Sequence, residues 1–281
     1  MEFIATLPGW AVNAIAIGAI GAVAGAIGGV LMHAGHKWGR WLPIVAIALA
    51  VTFSREIGLV DWVQRQAITP TSVSNIIKSE NPQLYGFLET TFPNDYQQLT
   101  AKLADAVKGG ASYSAVRSQA ATAMTQLRQK YAPMVALASD EDHSEIIELS
   151  IAFHRAILTE DPYMCSRVAM SGAMPLIESS GFETAKSMIE PQAIQLFQAA
   201  ANAMTSPVQR RPATDADWAA LGDAMFNRGM TDAQFAAMQS SDINSPDFCP
   251  SLLIFMRTLN DVNHEGIKAV RAEFVRDISA S

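Results

Sequence analysis

Apolar and polar positions divide this chain unequally. From Trp10 to Met32 run 23 residues without a charge, and a helix crosses a hydrocarbon core with about 20 apolar residues. A second apolar run, Trp41 to Phe53, has only 13 residues and reaches that length by continuing through Arg55 and Glu56 to Val60. Arginine at such a depth snorkels its charge to the headgroups. The pattern predicts a two-helix transmembrane hairpin with spans at about 10–32 and 41–60. Trp10, Trp38, Trp41 and Trp62 stand at the ends of the runs, where indole rings anchor at a membrane interface. Gly21, Gly25 and Gly29 recur every fourth residue, with Gly18 in front of them. A row of this kind, a glycine zipper, lets another helix approach closely in lipid.

After residue 66 the apolar positions recur with helical spacing and no run alternates as a strand does. Asn94 precedes a stripe of Tyr96, Leu99, Leu103 and Val107 that Gly109-Gly110 ends. Ser112 opens a longer stripe through Val116, Ala120, Met124, Leu127 and Tyr131, and Pro133 is expected to break or kink it. Further helices are predicted over 139–158, 163–169, 182–204, 215–227, 232–239, 250–259 and 264–278. Thr214 with Asp217 and Thr231 with Gln234 each form a capping-box pattern. The two helices they open should place Trp218 and Phe235 on matching faces. The proline-flanked segment 207–212 reads as a linker.

The fold expected is therefore all-α: a membrane anchor over 1–66 and a multi-helix soluble domain over 67–281. Charge sharpens this division. The first 66 residues carry four Lys/Arg against three Asp/Glu, which leaves 16 against 24 for the remainder, a net of −8 where the whole chain has −7. An acidic domain is ill-suited to phosphate backbones, which are bound by neutralising them, so nucleic acid is not expected as a partner. Lys37 and Arg40 lie between the two runs. Basic loops favour the cytoplasmic side, which would put the domain outside.

Two cysteines, Cys165 and Cys249, are the only ones in the chain. A pair with no third thiol suits a disulfide in an oxidising compartment. Together these features predict a bacterial inner-membrane protein with its domain in the periplasm. The bilayer, other membrane or envelope proteins and a second copy would be its partners.

Candidate chemistry is sparse. Asp140-Glu141-Asp142-His143 with Glu145, Glu148 and His154 is the densest polar stretch, and Glu145, Glu148 and His154 are the residues singled out as a polar site between helices. His143 and His154 are 11 residues apart, about 16 Å along a helix, too far to share an ion. Ser139 with Asp142 reads as a helix cap. His264-Glu265 begins a zinc-protease pattern, but Lys268 stands where the second histidine is needed. The loop from Asp242 lacks the glycine and the bidentate glutamate of a calcium loop. No nucleophile elbow, phosphate loop or dinucleotide fingerprint is present, and nothing asks for a metal or a cofactor. The expected role is structural or protein-binding within a membrane assembly. An extracytoplasmic enzyme and an oligomeric channel component built on the glycine helices are the alternatives.

Overall fold

Proline sets where the first helices begin. In the computed structural model, which describes residues 68–240 and 245–280, α1 (Pro70–Glu80), α2 (Pro82–Thr91) and α3 (Pro93–Lys108) each start on one. Its fixed φ suits the first helical turn, where its missing N–H has no partner to lose. Ten more helices follow among the described residues: α4 (Tyr113–Val135), α5 (Asp140–Glu160), α6 (Pro162–Ser171), α7 (Met174–Glu178), α8 (Glu183–Lys186), α9 (Ile189–Thr205), α10 (Asp215–Asn227), α11 (Asp232–Ser240), α12 (Phe248–Asp261) and α13 (Glu265–Ala280). The described residues contain no strand, as the periodicity predicts.

The chain divides into two units. In the first, the described segments are 68–79 and 97–120. Val73 and Ile77 are buried there on α1, and Leu99 and Leu103 on α3, in both cases one helical turn apart. Gly110, at φ 84°, takes the left-handed conformation that ends α3.

The second unit, Glu80–Tyr96 with Ala121–Ser281, carries the main core. Ile146, Ile147 and Ile151 of α5 meet Leu196, Ala199 and Ala203 of α9 and Leu253, Met256 and Leu259 of α12. Leu221 and Met225 of α10 and Ile267 and Val270 of α13 extend the same cluster. Each fully buried isoleucine or leucine contributes roughly 2–3 kcal/mol through removal from water. The alanines of α9 let its backbone come close to α5. Pro133 lies inside α4, which ends two residues later, so the expected break falls at the helix end. The 207–212 segment is non-helical and both of its flanks belong to this one unit; the Val208 N–H donates to the Leu137 carbonyl at 2.8 Å.

The membrane part of the expectation is corrected. No described helix is long and apolar enough to cross a membrane. α4 has the length at 23 residues, yet it holds Arg117, Arg128 and Lys130; α5, with 21, holds four charges in its first six residues. The spans at 10–32 and 41–60, the glycine row Gly18, Gly21, Gly25 and Gly29 and the anchors Trp10, Trp38, Trp41 and Trp62 lie outside the described residues. What stands is an all-α fold with a disulfide. A transmembrane hairpin, a lipid-bilayer partner, a bacterial inner-membrane and periplasmic location, and a role as membrane anchor or channel component find no support in it.

Candidate functional site

The polar residues singled out on α5 do not converge. Glu145 is exposed and accepts a hydrogen bond from Gln195 Nε2 of α9 at 2.6 Å. Glu148, also exposed, accepts from Asn260 Nδ2 of α12 at 3.3 Å. His154 turns back on its own helix: Nδ1–H donates to the Ser150 carbonyl at 2.8 Å, and the ring stands edge-on to Phe153. Burial lowers the His154 pKa, with the Ser150 bond opposing it, which favours the neutral imidazole. Three residues with three different partners make no shared site.

Cys165 on α6 and Cys249 on α12 are joined in a disulfide with Cα atoms 6.0 Å apart. Both are fully buried among Phe153, Ile157, Met164 and Leu176. Thiol–disulfide exchange needs access to sulfur, so this bridge is a cross-link between helices.

The densest polar network gathers at the amino end of α5. Ser139 and Asp142 form the capping box, and Asn202 Nδ2 of α9 donates to Asp142 at 2.8 Å. Arg210 donates to the carbonyls of Ala136 and Ala138 and to Asp140, while Lys268 of α13 reaches the other Asp140 oxygen at 3.1 Å. Burial raises the Asp140 pKa, but the bonds from Arg210 and Lys268 more than offset it and leave it below the usual value. His143 sits directly beneath, with no exposure at all. Its Nε2 is 2.7 Å from the Val135 carbonyl. A carbonyl only accepts, so Nε2 carries the hydrogen and Nδ1 is the acceptor. Nδ1 meets no donor. Burial, reinforced by Arg210 and Arg271, depresses the His143 pKa to about 4.

Two further clusters are equally locked. Asp217 closes the capping box of α10 and also takes a bidentate bond from Arg211, which together with Thr214 drives its pKa far down. Asp95 binds Lys130 Nζ at 2.7 Å and the Tyr131 hydroxyl, whose ring packs on Phe92. Burial and the Asp95 bond raise the Tyr131 pKa, and Lys130 is raised chiefly by Asp95; Asp95 itself, raised by burial, is brought lower by both partners. General acid–base catalysis asks for groups poised near the working pH, and each of these is pushed away from it. Among the described residues no group of three or more His, Cys, Asp or Glu is placed to hold a metal ion. The loop from Asp242 is described only from residue 245.

The surface of α10 and α11 differs in kind. Asp217, Leu221 and Met225 form the buried stripe of α10. Beside it run Trp218, Gly222 and Phe226, again four residues apart. Trp218 is 44% exposed and Phe226 39%. Among the described residues, a Cβ placed on Gly222 would meet nothing within 4 Å, so the backbone between the two rings is open. Phe235 of α11 packs its ring 5.2 Å from Phe226, and both capping boxes form as the sequence predicts. Exposed Asp215, Asp223 and Asp232 rim this surface. The capping pattern points to Trp218 and Phe235 but not to Gly222 and Phe226, whose four-residue spacing from Trp218 is the sequence signal for them. No protein-family model, no curated protein and no solved structure matches the chain.

Proposed function

We propose that the unit formed by residues 80–96 and 121–281 is a protein-binding module that docks a partner on the aromatic surface of α10 and α11. One observation carries this reading: two exposed aromatic rings, Trp218 and Phe226, flank an open glycine on a single helix stripe. Large aromatic side chains dominate the energetics of interfaces, above all where they border a pocket. The titratable clusters support the reading from the other side. Asp95, Asp140 and Asp217 have their charges matched by a lysine or arginine within the unit, so none needs a substrate to satisfy it.

Site-specific photocross-linking in the native host tests this. A benzoylphenylalanine at position 218 or 226 should give one and the same adduct, identified by mass spectrometry. The same probe at Arg155, exposed on α5, should not give it. Identical adducts at all three positions, or none at 218 and 226, would refute the proposal.

A further inference from the structure

We infer that the occupant of this surface is a cationic amphipathic helix that seats one branched or unbranched aliphatic side chain over Gly222. The inference rests on the docking surface proposed above and names its partner's chemistry.

Shape comes first. Trp218 and Phe226 are eight residues apart, about 12 Å along the axis, with Gly222 midway. A leucine or methionine side chain fits a gap of that length. Glycine is a poor interior helix residue, and nothing within 4 Å excludes a side chain at 222. Neither helix formation nor packing among the described residues accounts for it. Gly86 inside α2 is open in the same way, but Pro82 and Thr90 stand one turn to either side of it, so it has no aromatic walls.

Charge comes second. Asp215 and Asp232 lie in the first turns of their helices, where the macrodipole favours acids. Asp223 has no such excuse. It stands past the first turn of α10, where the dipole no longer favours an acid, and no ion pair of Asp223 is found among the described residues. The nearby cations are already engaged, Arg211 with Asp217 and Arg228 with Asp261. The rim is therefore acidic, as is the chain outside its first 66 residues. A second copy would set this rim against itself, and like charges across an interface are strongly disfavoured. A partner bearing lysine or arginine beside its apolar stripe is complementary in both respects, and an amphipathic helix presents the two together.

The test uses the full chain and three fluorescein-labelled 15-residue peptides read by anisotropy. One is a Leu/Lys amphipathic helix; in the others glutamine or glutamate replaces every lysine. The Leu/Lys peptide should bind at least ten-fold more tightly than the Leu/Gln peptide, and the margin should shrink with salt. Gly222→Leu, which has room to fold, should abolish binding, and Asp223→Lys should weaken it at least five-fold. Glu160→Lys, an exposed charge change at the far end of α5, should leave it unaltered. Equal loss in Glu160→Lys would mean unspecific charge attraction and overturn the inference. Equal affinity for the Leu/Lys and Leu/Gln peptides, with loss in Trp218→Ala, would overturn the cationic partner and leave the docking surface standing. Affinity for every peptide unchanged by both Gly222→Leu and Trp218→Ala would remove both.

Discussion

Acid should find His143 before it finds any of the paired carboxylates. The imidazole is fully buried and its pKa is depressed from 6.5 to about 4, chiefly by burial. The folded state therefore prefers the neutral ring, and the unfolded chain binds the proton first. Stability from this residue is complete above pH 6.5 and drains away as the pH falls toward 4. A difference of 2.5 between those two values corresponds to about 3 kcal/mol. About 1 kcal/mol of this is already lost at pH 5.5, where linkage of one proton gives a slope near 1.4 kcal/mol per pH unit. That is a large part of the roughly 5–15 kcal/mol that holds a folded domain. Asp95, Asp140 and Asp217 are held below their usual 3.8. Their contributions are present above that value and fail only as the pH falls below it, so the two windows separate. The comparison is wild type against His143→Gln, by urea unfolding at pH 7.5, 6.5, 5.5 and 4.5. Glutamine does not titrate, and Val135 keeps the bond from the Ala138 N–H at 3.0 Å. His154 is lowered in the same direction but is present in both proteins and cancels. The wild type should lose about 2–3 kcal/mol more than the variant across this range. Parallel pH profiles would refute the burial argument, whatever the variant costs at pH 7.5.

Three other outcomes follow from the packing. A Cβ on Gly266 would fall 2.0 Å from Asp217 Oδ1 and 2.8 Å from its Cγ, so Gly266→Ala should cost about 1–3 kcal/mol by overpacking. In an Asp217→Ala background, denaturant unfolding should find the same change near neutral; an equal cost in both would break the argument. Reducing Cys165–Cys249, which are 84 residues apart in sequence, should lower stability by about 4–5 kcal/mol in the chain-entropy picture. Because both sulfurs are buried, alkylation should show that reduction proceeds only as fast as the protein opens. Gly222→Ala should stabilise the fold by about 0.5–1 kcal/mol, seen as a higher Tm; a loss of stability would show that the open space over Gly222 is wrong.

How far the fold could be read depended on local chemistry. α10 lies at the bounds the sequence predicts, because Thr214 and Asp217 cap it and Gly229, at φ 92°, stops it. α5 was similarly fixed by the Ser139–Asp142 box and by Asp161 before Pro162. α1 and α2 are not among the predicted helices, although Pro70 and Pro82 carry the same opening signal as Pro93. The helix expected over 182–204 is in fact two, α8 and α9: Pro191 has no N–H to continue the ladder and falls in the first turn of α9, a local signal present in the sequence. At the start of α8, Gly181 and then Phe182 both adopt positive φ, and an aromatic residue does so only when tertiary packing holds it. Phe182 is held against the disulfide core, which no local pattern announces. The polar clusters were illegible for the same reason. Asp95 meets Lys130 35 residues on, and Asp140 meets Arg210 70 residues on. Sequence showed the caps and left the counter-charges to the fold.

Agreement between local preference and tertiary demand holds through most of the second unit, and that makes its exceptions informative. Asp142 and Asp217 sit where caps need acids and are then bound a second time, by Asn202 and Arg211. Asp140 lies in the first turn of α5 and is clamped by Arg210 and Lys268. In each case the helix end and the long-range partner want the same residue. Gly222 and Asp223 reverse this. One weakens the helix from within and the other lies beyond the turn where the dipole favours an acid, and among the described residues nothing fills the space above the first or pairs the second. Departures from local rules with no internal compensation are expected where a protein meets something else. These two are adjacent and stand between the exposed rings of Trp218 and Phe226. The external compensation they call for is a side chain to fill the gap and a positive charge beside it.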